Sequence, residues 1–133
     1  MTTPFRARLA RIVVYPIKSL DGVAVESVAV TAAGSLANDR RWMLTDAAGR
    51  PINGKGVPRL HQVRTAFDLG AETVTVTGPE AGPVTLHLLQ QAAEVERWFS
   101  DVLGQRVSLK ENAVGGFPDD LDDPGPTLIS TAS

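Results

Sequence analysis

Two short stretches of the sequence place cationic side chains at the ends of predicted strands. The first, "VVYPIKSLDG", halts a β-branched run at a proline and continues with Lys18 and Ser19 before an Asp-Gly turn signal. The second, "NDRRWM", places Arg40 and Arg41 at the start of another strand, on opposite faces because strand residues alternate. If the lysine, serine and one arginine converge, they would suit a phosphate or another oxyanion. A second interpretation stays open, in which Arg40 forms a surface ion pair with Asp39.

The segment "GRPINGKG" has the glycine and lysine spacing of a phosphate-binding P-loop, with Gly49, Gly54 and Lys55 in the matching positions. The Ser or Thr that binds magnesium in that motif is replaced by Gly56. Pro58 follows closely and prevents a helix from starting where the phosphate-cradling helix must begin. A glycine-rich β-turn is therefore the better interpretation.

His61 and His87 are the two histidines, and they fall on different predicted strands. Neither lies at a near-neighbour spacing from acidic residues or a second histidine that would give three convergent metal ligands. The acidic stretch at 119–123 lacks the spacing of an EF-hand. We therefore predict no metal site and no catalytic residue in this chain.

Composition excludes several classes of protein. The 133 residues are 43% hydrophobic and 21% charged, as in ordinary globular domains. No apolar run reaches the ~18 residues of a membrane span, and the N-terminus lacks the apolar stretch of a signal peptide. Cysteine is absent, which excludes disulfides and a thiol nucleophile within this chain. The few aromatic residues and the lack of a basic stripe argue against nucleic acid, so we expect a cytoplasmic chain with no nucleic-acid or membrane partner.

Hydrophobic periodicity predicts a mainly β fold. Most segments alternate with period two, and turn signals recur between them. The predicted strands are residues 5–15, 23–31, 40–46, 60–68, 73–77, 84–88 and 106–110. Six to seven short strands with a single late helix predict an antiparallel β domain, either barrel-like or a sandwich, with a helical cap.

The predicted helix covers about residues 91–103 and is amphipathic, with Gly104 at the position that ends a helix. Its apolar positions recur at i, i+3, i+4 and i+7 and are Val95, Trp98, Phe99 and Val102. Two finer expectations concern strands. The apolar phase changes between Val25 and Val28, which predicts a β-bulge there. The strand at 84–88 is expected to face the core with Val84, Leu86 and Leu88.

The composition changes at Asn112, where glycine, proline and aspartate become frequent until "TLIS" resembles the start of a strand. We therefore expect residues 1–111 to form the barrel-like domain. Residues 112–133 are expected to be a flexible linker and the truncated start of a following domain.

Three separated motifs, "VYPIKSLDGVAVESVAVTAAG", "NDRRWMLTDAAGRPI" and "PRLHQV", resemble the MOSC N-terminal β-barrel domain. This module precedes the MOSC domain of molybdenum-cofactor sulfurase and amidoxime-reducing-type proteins. The resemblance implies that Lys18, Ser19 and Arg40 help to anchor the phosphate end of a molybdenum pterin cofactor (molybdopterin). Lys55 falls where relatives often have an arginine, so its role is doubtful because lysine lacks the bidentate fork.

In that family the reactive cysteine lies in the following MOSC domain, which this chain lacks by our reading. The resemblance therefore implies a binding module that is not a complete enzyme alone, with the missing MOSC domain and a redox partner of the full-length protein as partners. Full-length relatives would be molybdenum-dependent oxidoreductases or sulfur transferases. The alternative is a structural module without a small ligand, in which an edge strand at "TLIS" pairs with a partner protein.

Overall fold

The computed structural model describes residues 11–117 and confirms a mainly β fold with one late helix. Within that range the chain forms seven strands, one α-helix and one short 3-10 helix. The strands are β1 (Ile12–Val14), β2 (Val23–Val25), β3 (Trp42–Thr45), β4 (Arg64–Asp68), β5 (Thr73–Thr77), β6 (Val84–His87) and β7 (Ser108–Glu111). The α-helix, α1, is Ala92–Leu103, and the 3-10 helix is Pro58–Gln62. The strands pair as three small antiparallel sheets, β1-β2, β3-β7 and β4-β5-β6, and not as one closed barrel over these residues.

The sheet β1-β2 joins the two predicted strands across the loop that carries "YPIKSLDG". Gly22 ends this loop, and a Cβ there would lie 2.7 Å from a side-chain carbon of Val13 and 2.9 Å from the Tyr15 ring. Glycine therefore allows the loop to return closely over β1. The predicted bulge after Val25 is wrong, because β2 ends at that residue. The following run contributes only an isolated bridge from Val30 to Leu36, so the change of apolar phase marks the end of the strand.

The sheet β3-β7 joins distant parts of the chain, with Trp42 opposite Glu111 and Leu44 opposite Leu109. Trp42 and Leu44 are buried in the core. The Glu96 carboxylate of α1 accepts a hydrogen bond from the Leu109 backbone N–H at 2.7 Å. The helix is thereby fixed to the strand that follows it.

The sheet β4-β5-β6 is a meander, which confirms the predicted β5-β6 hairpin. Val74 and Val76 of β5 are buried, as strict alternation requires. Leu86 and Leu88 also face the core, but the prediction for Val84 is wrong because its exposed fraction is 40%. It occupies the first position of an edge strand, beside an open groove against α1.

Helix α1 buries Val95, Phe99 and Leu103 against the core. Trp98 is half-buried and meets Phe99 edge-on, with ring centroids 5.0 Å apart. The helix ends at Gly104, whose φ is +69° and whose N–H donates to the Ser100 carbonyl at 2.9 Å. The predicted helix is therefore confirmed to within one residue. Among residues 11–117, no helix has the length and apolar character needed to cross a membrane.

The predicted strand at 60–68 is half correct, because residues 58–62 form the 3-10 helix and β4 begins at Arg64. Pro58 fixes the backbone angle that suits a first helical position, and Leu60 is buried beneath the turn. His61 consequently lies on an exposed 3-10 turn and not on a strand.

Candidate functional site

The loop after β1 and the segment before β3 lie side by side in a short parallel pairing. The Trp42 N–H donates to the Pro16 carbonyl and the Lys18 N–H donates to the Trp42 carbonyl, both at 2.9 Å. One step earlier, the Arg40 N–H donates to the Tyr15 carbonyl at 2.6 Å. The fold therefore brings together the backbones of the two motifs that contain the predicted site residues.

Lys18 and Ser19 form the outer corner of this pairing. Pro16 and Ile17 are buried, whereas Lys18 is half-buried and Ser19 is exposed. The turn closes with a hydrogen bond from the Leu20 N–H to the Ile17 carbonyl at 3.2 Å. The buried residues thus fix the loop, and the lysine and serine lie at its surface.

Two of the three predicted site residues have a left-handed backbone. The φ of Ser19 is +74° and that of Arg40 is +49°. Residues other than glycine disfavour this region by roughly 1–2 kcal/mol, and such residues persist only where their surroundings enforce them. They concentrate at functional sites, so both observations favour a functional role for this corner.

Arg40 directs its guanidinium back to the carboxylate of Asp39. Its Nε and Nη2 donate to Asp39 Oδ2 at 3.2 and 3.0 Å. The ion pair considered as an alternative is therefore present, but it is partly buried, with side-chain exposed fractions of 21% for Arg40 and 8% for Asp39. Asp39 Oδ1 also accepts the Tyr15 N–H at 2.8 Å.

Neither Arg40 nor Arg41 lies in β3, which begins at Trp42 and not at the predicted residue 40, so the predicted alternation does not apply to them. Arg41 has partners that Arg40 does not share. Its guanidinium lies 4.3 Å from the centre of the Trp42 ring and donates from Nε to Glu111 Oε2 at 2.8 Å. It also donates to Asn38 and forms a 3.5 Å ion pair with Glu72. These contacts give Arg41 a structural role that joins β3 to β7.

The segment 112–117 crosses the other side of the Arg40 backbone. The Asn112 N–H donates to the Arg41 carbonyl at 2.7 Å, and the Phe117 N–H donates to the Arg40 carbonyl at 2.8 Å. Gly116 has a φ of +67°, and a Cβ there would lie 2.7 Å from the Asp39 carbonyl oxygen. We call residues 112–117 the strap. The predicted boundary between residues 111 and 112 stays a prediction, and the "TLIS" edge lies outside the described residues.

A turn around Asp46 leads into the glycine-rich segment that has the spacing of a P-loop. Asp46 Oδ1 accepts the N–H groups of Ala48 and Arg50, both at 2.9 Å. The pKa of this carboxyl is below its ordinary 3.8, chiefly because the Arg50 backbone N–H donates to it. The Ala48 N–H and the Arg50 guanidinium also lower the pKa, whereas desolvation raises it.

The glycine-rich loop then borders an open cavity of about 460 Å³ lined by Asp46, Arg50, Pro51, Ile52, Asn53, Gly56, Val57 and Gln105. Lys55 is exposed and does not line that cavity.

The contacts of the two histidines indicate structural roles. His87 Nδ1 accepts the backbone N–H groups of Leu89 and Gln90 at 3.2 and 3.0 Å, which stabilises the turn before α1. The ring of exposed His61 lies over Gly54, where a Cβ would overlap with it. Across residues 11–117, no three histidine, aspartate or glutamate side chains lie where they could hold a metal ion together.

Sequence reasoning missed the second contact of Asp39. The carboxylate accepts the Tyr15 N–H, a contact between residues 24 positions apart. The "DR" dipeptide indicates the ion pair with Arg40, but no local pattern indicates which backbone group approaches the other carboxylate oxygen. No local pattern indicates that the strap crosses the Arg40 backbone either, because its contacts join residues far apart in the sequence.

Comparison with known proteins gives the family. The sequence model of the MOSC N-terminal beta barrel domain matches residues 6–106. A molybdenum cofactor sulfurase of Oryza sativa subsp. japonica is 34% identical over 103 residues, 77% of this chain and 12% of the relative. A molybdenum cofactor sulfurase of Solanum lycopersicum is 31% identical over 102 residues, 76% of this chain and 12% of the relative. The chain thus spans a small part of the length of these relatives. The residues matched by the family model contain both motifs of the candidate site. On these matches the chain belongs to the MOSC N-terminal beta barrel domain family.

Proposed function

We propose that this chain supplies one wall of a molybdenum-cofactor site and anchors the cofactor phosphate with Lys18, Ser19 and Arg40. The observation that carries the proposal is the parallel pairing of the two motifs. The Lys18 N–H bonds to the Trp42 carbonyl, and the Arg40 N–H bonds to the Tyr15 carbonyl. Along this pairing Lys18 lies one residue after Ile17, and Arg40 lies two residues before Trp42, the bridge partner of Ile17, so about three residue positions separate them. Two long cationic side chains at that spacing can contact one anion.

The donor set suits a phosphate monoester. Arginine offers a planar fork of five N–H donors, lysine a compact ammonium and serine a hydroxyl that donates or accepts. Arg40 uses two N–H donors on Asp39, which leaves three for a ligand. The partial exposure of all three residues gives a ligand access to them.

The role of this chain is binding and orientation. The molybdenum centre would supply the redox or sulfur-transfer chemistry when bound. Lys18 and Arg40 would neutralise the phosphate charge, and the Ser19 hydroxyl would donate to a phosphate oxygen. The sequence contains no cysteine, so a thiolate ligand or sulfur carrier must come from outside it.

A following MOSC domain, or its equivalent on another chain, is the proposed source of the reactive groups. The relatives that match are named molybdenum cofactor sulfurases, and this chain covers 12% of each. A redox partner of the full-length protein belongs to the same proposal. Since one wall offers only part of the contacts, this chain alone should bind a phosphate ligand weakly.

The test is a titration of the isotopically labelled chain with a pterin phosphate, followed by NMR at millimolar ligand. We expect the amide signals of Lys18, Ser19 and Arg40 to move together. Because charge-assisted hydrogen bonds contribute about 1.5–3 kcal/mol, Lys18→Ala and Arg40→Ala should each weaken binding roughly 10- to 100-fold.

The matched control is Arg97→Ala, which removes the same charge from an exposed position on α1. This variant should change the affinity less than about twofold, since screening limits the effect of a distant surface charge. Equal losses in Arg97→Ala and Arg40→Ala would contradict the proposal, because binding would then follow net charge alone. Signals that move only elsewhere in the chain would also contradict it.

A further inference from the structure

We propose that Asp39 is the positioning residue of the anion site: one carboxylate ties the Arg40 guanidinium to the end of β1, beside the loop that carries Lys18 and Ser19. This inference rests on the proposed function, since it assigns the group that orients the arginine. Asp39 would not touch the ligand and would act through Arg40.

The two oxygens of the carboxylate have separate partners. Oδ1 accepts the Tyr15 N–H at 2.8 Å. Oδ2 accepts Arg40 Nε and Nη2 at 3.2 and 3.0 Å. The Asp39 side chain is 8% exposed, so these contacts lie in a partly desolvated place where charged hydrogen bonds are stronger than in water.

The contact selects one edge of the guanidinium. Asp39 engages the Nε and Nη2 edge of Arg40, and within residues 11–117 the guanidinium has no further hydrogen-bond partner. The Nη1 group and the second Nη2 hydrogen therefore form the edge that a ligand can meet. An arginine without this contact would sample several rotamers and lose side-chain entropy on binding.

The backbone of Arg40 is fixed on both sides as well. Its N–H donates to the Tyr15 carbonyl, and its carbonyl accepts the Phe117 N–H of the strap. Both backbone groups of Tyr15 are thus bonded, the N–H to Asp39 and the carbonyl to Arg40. These bonds account for the persistence of the left-handed φ of Arg40. They also make Asp39 and Arg40 a rigid unit at the end of β1.

A competing interpretation makes Asp39 a nearby negative charge that repels an anion, and the two interpretations predict opposite signs. Asp39→Asn removes the charge and retains an oxygen that can accept the Tyr15 N–H. If Asp39 only repels, anions should bind roughly two- to fivefold more tightly to the variant. The gain would be small because the repulsion between two charges near a protein surface is weakened by a high effective dielectric. If Asp39 positions Arg40, the variant should bind anions more weakly.

The experiment is a double-mutant cycle on the full 133-residue chain with inorganic pyrophosphate as the probe at fixed ionic strength. The four proteins are the wild type, Asp39→Asn, Arg40→Ala and the double variant. We expect Asp39→Asn to weaken binding roughly 3- to 10-fold in the wild-type background and less than about twofold beside Arg40→Ala, as coupled neighbours require. Tighter binding, or an equal loss in both backgrounds, overturns the inference.

A second measurement needs no ligand and no variant. Hydrogen exchange of the Arg40 Nε–H should be at least about tenfold slower than that of Arg97, because the first is bonded to a partly buried carboxylate and the second is exposed. Equal exchange rates overturn the inference even if Asp39→Asn fails to fold. Slow Arg40 exchange without any pyrophosphate binding by the wild type would instead overturn the proposed function and leave Arg40 held by Asp39 for structure alone.

Discussion

Replacing Gly116 by alanine tests whether the strap is docked on the Arg40 backbone. The φ of Gly116 is +67°, which an alanine adopts at a cost of roughly 1–2 kcal/mol. The new Cβ would also lie 2.7 Å from the Asp39 carbonyl oxygen and 3.0 Å from that of Arg40. Both neighbours are backbone atoms, so the strap must move.

The size of the effect follows from these contacts. Movement of the strap would break the hydrogen bond from the Phe117 N–H to the Arg40 carbonyl, at a cost of about 1 kcal/mol. With the left-handed backbone included, the free energy of unfolding should fall by roughly 2–3 kcal/mol. Urea denaturation followed by tryptophan fluorescence measures this change, provided that the slope of the transition is unchanged.

Gly104→Ala is the matched control. Gly104 has nearly the same φ, +69°, but a Cβ there would meet nothing within 4 Å. This variant should lose only the backbone component, roughly 1–2 kcal/mol, and leave the Arg40 amide signal in place. If the two variants lose the same free energy and neither moves the Arg40 signal, the strap is not docked on residues 39 and 40 and the reasoning is refuted.

Two further predictions concern the core and the loop after β3. Phe99→Ala should lower the free energy of unfolding by about 3–5 kcal/mol because the Phe99 ring is fully buried. The control Leu89→Ala, at an exposed position, should lower it far less. Similar losses for the two variants in a denaturation experiment would contradict the packing of α1. Asp46→Asn tests the pKa of Asp46, which is lowered first by the Arg50 N–H. A carboxyl with a lowered folded-state pKa stabilises the protein above its unfolded value and loses that contribution as the pH falls through the folded value. The difference in the free energy of unfolding between the wild type and Asp46→Asn should therefore be constant near neutral pH and shrink below about pH 4. A difference that persists at acid pH would contradict the hydrogen bonds to this carboxylate.

Local patterns predict the local elements well. The helix is predicted correctly because Val95 and Phe99 recur at helical spacing and Gly104 can end it in the left-handed region. The β5-β6 hairpin is visible because both runs alternate and a glycine-rich turn joins them. In each case the information lies within a few residues.

The errors come from interactions that local patterns do not contain. The β-branched run after Val25 has strand propensity, but β2 ends there because only Val23–Val25 pairs with β1. Val84 has the correct alternation, yet its exposure depends on how far α1 covers the edge strand. A single sequence does not state which strands become neighbours.

The candidate site likewise has a part that the sequence predicts and a part that it does not. Residue chemistry and the family resemblance select Lys18, Ser19 and Arg40 as candidate residues. The contacts that arrange them, from Asp39 to Tyr15 and from the strap to Arg40, join residues far apart in the chain. They follow from the tertiary fold and are found only in the structure.

The pairing of β3 with β7 has a consequence for synthesis on the ribosome. The meander β4-β5-β6 joins neighbours in sequence and can form early, whereas β3 has to await β7, which follows α1. Until β7 leaves the exit tunnel, Trp42 and Leu44 have no sheet partner on that side, and their apolar surface is open to chaperones or to other nascent chains. Closure of the β3-β7 sheet therefore has to follow the synthesis of β7, and the same step brings the strap to the backbone of Arg40.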